Sequence, residues 1–204
     1  MAIEYPFELV RIEDLDEKRL AAIGSTILSW NLADCMLPQL IWALAHIPLP
    51  SAELVTNDMP TVTRLTLARN CLFREYGDDP LCEYTLETLK LFDQCRIGRN
   101  SIAHAHSYYV GSGDIVYGGF SAKSGKGYLT LQSAPYTADE MSKLEAAISA
   151  LINALFKLTA HFFGDDKSGI SLPKISVIRS HLETLRSQQN AINKRALQPQ
   201  PSPS

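Results

Sequence analysis

The chain has 204 residues, 46% hydrophobic and 20% charged, with a formal net charge of -3. That composition excludes a largely disordered chain, and the length fits one domain with appendages. The acidic balance excludes a broad electrostatic coat for nucleic acid, which requires a basic surface. The charge is uneven: residues 1–50 carry seven acids and three bases, and residues 167–204 six bases and one acid. Solvated helix faces explain such a pattern, and so does a complementary partner. No run of 18–20 uninterrupted apolar residues is present and the N-terminus is acidic, so the expectation is a cytoplasmic protein that does not enter membranes. Cys35, Cys71, Cys82 and Cys95 form no CxxC pair and fall in helical stretches, which reads as reduced core thiols.

Apolar residues at three- and four-residue steps predict a first helix from Leu15 to Ile47, on Leu20, Ile23, Ile27, Trp30, Leu37, Leu40, Ile41 and Leu44. Pro38 lies inside it, where a kink or break is expected, and Pro48 and Pro50 end it. After a polar connection, Thr61 to Tyr76 reads as a second helix closed by Gly77. Pro80 opens a third helix, which runs to about Ala105. Residues 107–133 collect glycines and two β-type runs, Asp114–Phe120 and Gly127–Gln132, and read as a hairpin or flap. Thr137 and Glu140 form a capping-box pattern ahead of a long apolar stripe that ends at Phe162. A last helix is expected from Leu172 to Lys194. The fold class is therefore all-α: an up-down bundle of four to five helices with a small β-hairpin insertion at about 107–133. It forms a single domain over 1–197, followed by a disordered Pro/Ser-rich tail at 198–204.

The densest polar cluster on a core-forming helix is Cys95-Arg96-Ile97-Gly98-Arg99-Asn100-Ser101-Ile102-Ala103-His104-Ala105-His106. An arginine fork binds phosphate, and histidine holds or releases a proton near neutral pH. Together they form a minimum set for attacking a phosphodiester without metal. On an ideal helix Arg99 and His106 lie about 20° apart, and Arg99 and His104 about 140°. Which histidine meets which arginine stays open, and each residue also has a structural role open to it as a cap or a helix-dipole partner. Gly98 costs about 1 kcal/mol relative to alanine in a helix, which points to a close backbone approach or a bend.

The run Arg99-Asn100-Ser101-Ile102-Ala103-His104 resembles the R-x4–6-H motif of the HEPN superfamily (higher eukaryotes and prokaryotes nucleotide-binding), including its frequent asparagine after the arginine. The context resembles it over roughly residues 12–165. An early helix bears Trp30 and Asp34, a later helix ends in the motif, and a Gly-rich excursion precedes a long apolar helix. The resemblance implies a metal-independent RNA endonuclease, built as a homodimer with its two motif copies facing each other. Arg99, with Arg96 near it, would bind the scissile phosphate, and Asn100 would position Arg99 or the phosphate. His104 would assist proton transfer, with His106 able to replace or assist it, as the RNA 2′-hydroxyl attacks and leaves a cyclic phosphate. Such proteins include toxins and defence effectors, so an antitoxin or other protein partner is also implied. Other members are non-catalytic binding modules. One toxin branch carries R-x4-H-x-Y; here His106 stands at the tyrosine's place, with Tyr108 and Tyr109 beyond it.

Other signals are weaker. Ser124-Gly125-Lys126-Gly127 lacks a full phosphate-loop pattern and reads as a turn, with Lys123 and Lys126 near an RNA backbone at most. His104 and His106 with Cys95 or His161 do not make a metal site by spacing, so no metal and no cofactor is expected. His46 and His181 read as structural or exposed. Arg64, Arg69 and Arg74 form a basic edge that would serve as a phosphate track if it faced the site.

Overall fold

The computed structural model describes residues 8–9, 17–77, 79–103, 106–109, 115–122, 129–133, 137–164 and 171–196. Among them are six helices: α1 (Glu17–Leu44), α2 (Leu49–Thr56), α3 (Thr61–Tyr76), α4 (Pro80–Ala103), α5 (Ala138–Phe162) and α6 (Ile175–Ala196). α1 packs along α5 and also touches α3 and α4, while α6 covers α4 and α5. The architecture is a helical bundle around one core. Trp30, Leu37, Leu40 and Ile41 of α1 meet Leu89 and Phe92 of α4 and Ile148, Leu151, Leu155 and Leu158 of α5 within it. The Trp30 and Phe92 rings tilt together at 4.7 Å between centroids, and Tyr76 and Phe162 do the same at 4.7 Å.

Local chemistry sets the helix ends. Thr137 takes the Glu140 backbone N–H at 3.2 Å, and the Glu140 carboxylate takes the Thr137 N–H at 2.9 Å. The expected capping box therefore starts α5. At the end of α1, His46 adopts φ 49°, the Ile47 N–H reaches the Trp42 carbonyl at 3.1 Å, and the His46 N–H reaches that of Ala43 at 3.4 Å. This is a Schellman closure with a histidine where glycine is preferred. We expect His46→Gly to raise the unfolding free energy by about 1 kcal/mol, because glycine enters the left-handed region without a Cβ penalty. A lower urea midpoint for that variant would contradict this geometry.

Three helix expectations need correction. Pro38 does not break α1, which runs through it without interruption. The missing N–H costs one ladder bond, and burial of Met36, Leu37, Leu40 and Ile41 around the proline offsets it. Residues 49–56 are helical rather than a polar connection. Pro48 is the N-cap of α2 and Pro50 lies in its first turn, where a missing N–H costs nothing. Thr56 then accepts the Trp42 indole N–H at 3.0 Å, which fixes α2 on α1. Finally, α4 ends at Ala103, and His106 opens a strand.

Backbone pairing assigns four short antiparallel strands in the order β1 (Glu8–Leu9), β2 (His106–Tyr109), β3 (Ile115–Ala122), β4 (Leu129–Ser133). Tyr109 opposes Ile115 across β2–β3, and Ala122 opposes Leu129 across β3–β4. The excursion thus holds three strands where two were expected, and a fourth comes from the N-terminal segment. β3 touches α4, which brings the sheet to the helix that carries the arginine motif. Ser124–Gly127, Lys123 and the tail at 198–204 lie outside the described residues.

Two further readings change. Cys35 is exposed, while Cys82 and Cys95 are buried, so the thiols are not all core groups. Leu20–Leu44 is long and apolar enough to cross a membrane by length and composition, with a mean hydropathy of 1.3. Counting uninterrupted apolar residues missed it, because serine, asparagine and glutamine punctuate the run without lowering its average below a spanning value. In this fold one side of that segment forms core.

Candidate functional site

The last three turns of α4 carry the motif. Cys95 is fully buried and Ile102 nearly so, which pins this end of the helix to the core. Gly98 is also buried. The Ser101 hydroxyl donates to the Ile97 carbonyl at 3.0 Å, a back-bond that competes with the helix ladder and favours bending. Arg99 lies seven residues beyond Phe92, about 20° from it around an ideal helix and two turns along. The guanidinium therefore emerges on the side of α4 that packs Phe92 against Trp30 of α1.

That placement explains the state of Arg99. Its side chain is half-buried, and Nη1 donates to the Asn100 Oδ1 at 3.0 Å. Its Nε is fully buried with no hydrogen-bond partner among the described residues. No carboxylate pairs with it among those residues. An arginine keeps its proton under all ordinary conditions, so an unpaired buried N–H beside a fixed positive charge favours an anionic acceptor. Asn100 holds one arm of the fork and leaves the remaining donors for such an acceptor.

Arg96 is different. Its Nε and Nη2 donate to one carboxylate oxygen of Asp93, at 2.9 and 2.8 Å. Its charge is answered within its own helix, so Arg96 does not join Arg99 as a free phosphate ligand. Asp93 was missed in the sequence reading, although the i, i+3 acid–base spacing shows it. The proposed basic edge on α3 also dissolves in part. Arg64 donates to the backbone carbonyls of Thr56 and Asn57 at 3.2 Å each and lies 3.8 Å from the Asp34 carboxylate. It clips the α2–α3 turn to α1 instead of tracking a phosphate. Arg74 pairs with Glu75 at 3.3 Å on the exposed surface.

His104 lies outside the described residues, and of His106 the backbone alone is described, paired opposite Gly118 in the sheet. The 20° relation between Arg99 and His106 fails, because it assumed a continuous helix through both. No family model, curated protein or solved structure matches this chain. The resemblance to the HEPN superfamily therefore rests on the motif and its helical setting alone.

Of the four side chains weighed as metal ligands, those of Cys95 and His161 are described. Burial pushes the Cys95 thiol far above its ordinary pKa, which keeps it protonated and a poor ligand. His161 packs edge-on against the Phe162 ring at 5.5 Å, at the far end of α5 from its capping box. Among the described residues no group of three or more His, Cys, Asp or Glu side chains converges.

Proposed function

We propose that this chain is a HEPN-like, metal-independent RNA endonuclease acting as a homodimer, in the manner of a toxin or defence effector with a protein partner that restrains it. The observation that carries this reading is Arg99, whose buried Nε lacks a partner among the described residues while Asn100 orients the other side of the fork. In the proposed reaction Arg99 binds the scissile phosphate and stabilises the charge that grows on its oxygens. The RNA 2′-hydroxyl attacks, His104 assists proton transfer with His106 as the alternative group, and a cyclic phosphate and a free 5′-hydroxyl result. An acidic chain is compatible with this, since the reaction needs a small paired site and not a wide basic surface.

A second reading is a non-catalytic helical dimer that binds a partner protein or nucleotide. It draws on Arg96, whose closure on Asp93 leaves a single arginine of the cluster available in each copy. One experiment separates the two: incubate single-stranded RNA with the purified protein in chelator, beside Arg99→Ala and His104→Ala. Cleavage by the parent protein and its loss in both variants supports the nuclease. Cleavage that is equal in all three sinks it. No cleavage by any, with nucleotide binding lost in Arg99→Ala, favours the binding module.

A further inference from the structure

Three polar residues share one row of α4: Asp93, Arg96 and Asn100, spaced i, i+3 and i+7. Arg96 stands in the middle of it. One turn towards the N-terminus is Asp93, on which its Nε and Nη2 close. One turn the other way is Asn100, whose Oδ1 holds Nη1 of Arg99. Arg96 and Arg99 are themselves three residues apart, which makes them neighbours on the helix surface, about 5–6 Å between Cβ atoms. A second guanidinium thus stands beside the half-buried one whose Nε lacks a partner among the described residues, and Asp93 engages it.

The contact that holds Arg96 is a weak one. Both donors converge on Oδ1 of Asp93, so the parallel two-oxygen fork, the strong arginine–carboxylate geometry, is not formed. The Arg96 and Asp93 side chains are 24% and 34% exposed, so water competes for both. Repulsion between two arginines at helical spacing favours the closed position while no anion lies between them. A phosphate at Arg99 offsets that repulsion and offers oxygens that accept the whole fork, so Asp93 and RNA compete for Arg96. With a net charge of -3 the chain has no broad attraction for RNA, and a few local contacts set its affinity.

We infer that the Asp93–Arg96 pair is an autoinhibitory contact: Asp93 competes with the RNA phosphate for Arg96 and so holds down the affinity of the Arg99 site. The inference deepens the ribonuclease reading and rests on it for the ligand, a phosphodiester of single-stranded RNA. It gives Asp93 the role of a restraint on binding, and Arg96 that of a second phosphate ligand once released. A matched pair on the same helix supplies the comparison. Lys90 meets Glu87 at 2.9 Å with the same i, i+3 spacing and the same order of charges, more than two turns from Arg99. Removing the carboxylate there changes the charge of α4 equally but frees no cation beside the site.

Fluorescence anisotropy with single-stranded RNA carrying 2′-O-methyl groups, which blocks attack by the 2′-hydroxyl, measures binding without cleavage. The proteins compared are the parent, Arg99→Ala, Asp93→Asn, Arg96→Ala, the Asp93→Asn/Arg96→Ala double variant and Glu87→Gln. Asp93→Asn is expected to bind roughly two- to fivefold tighter than the parent, the effect of removing one competing, partly exposed ion pair. Its log–log salt dependence should steepen by about 0.7, the value for one further phosphate contact on a single strand. The gain should vanish in the double variant and be absent from Glu87→Gln. A gain that survives without Arg96, or that Glu87→Gln matches, comes from charge alone and overturns the inference. Asp93→Asn binding no tighter than the parent overturns it too; if Arg99→Ala still abolishes binding, the ribonuclease reading stands without it. Binding by none of the proteins also overturns it. Tighter binding that depends on Arg96, with no cleavage of unmodified RNA, sinks the nuclease reading and leaves this one standing. Should Asp93→Asn fail to fold, Asp93→Ser enters the same comparison with the same expected result.

Discussion

Phe92→Ala is expected to lower the unfolding free energy by about 3–5 kcal/mol, the range for deleting a fully buried aromatic ring. The ring is fully buried on α4 and tilts against Trp30 of α1 at 4.7 Å and 59°. Removing it forfeits the transfer free energy of the ring and the aromatic contact, itself worth about 0.5–1.5 kcal/mol. It also leaves a cavity walled by helices that cannot close on it without shifting one another. Phe92→Leu should cost far less, about 1 kcal/mol, because most of the volume is kept. Urea denaturation of both variants decides the matter. A loss below about 1 kcal/mol in the alanine variant would mean that α1 and α4 do not meet through this pair. Because Arg99 rides two turns beyond Phe92 on the same side of α4, the substitution should also loosen the motif. Any loss of cleavage should then track the folded fraction and recover when the protein is cooled.

The parts of this fold that could be read in advance are those whose cause is local. Thr61–Tyr76 emerged with its observed bounds because its apolar positions repeat at helical spacing and Gly77 follows. The capping box at Thr137 and Glu140 is a four-residue device, and its hydrogen bonds need nothing from the rest of the chain. What was misread depends on tertiary packing. Pro38 is a helix breaker in isolation, and only the burial of the leucines around it keeps α1 whole. Pro48 and Pro50 stop one helix and start another, and the pattern alone cannot say which role wins until Trp42 meets Thr56. The departure of His106 from the helix comes from pairing with Gly118, twelve residues away, which no periodicity displays.

The candidate site divides in the same way. Neighbouring residues such as Arg99 and Asn100, or Asp93 and Arg96, meet through spacing alone. The burial of the Arg99 Nε comes instead from the packing of α4 on the core, and it distinguishes this arginine from Arg64 and Arg96, which look equivalent in the sequence. Three arginines of one composition thus have three fates: a turn clip, an intrahelical ion pair and a half-buried fork that retains unsatisfied donor capacity.

Arg99→Lys is expected to fold as the parent does and to lose about 100- to 1000-fold in RNA cleavage, the effect of removing one preorganised donor from a developing oxyanion. Lysine keeps the positive charge, so a site that needed charge alone would survive the change. It does not keep the planar fork, and an ammonium group cannot donate to Asn100 with one arm while presenting Nε–H and the second arm to a phosphate. The substitution also removes the buried Nε–H that lacks a partner among the described residues, and with it an unfavourable contribution to stability of about 1–3 kcal/mol. The variant should therefore melt at or above the parent's temperature while its activity collapses. A structural arginine behaves in the opposite sense: at Arg64, whose donors are used on Thr56, Asn57 and Asp34, lysine should lower the melting temperature. Measuring melting and cleavage together on Arg99→Lys and Arg64→Lys distinguishes the roles. If Arg99→Lys melts lower and cleaves as well as the parent, Arg99 is a packing residue and the nuclease reading loses its central observation.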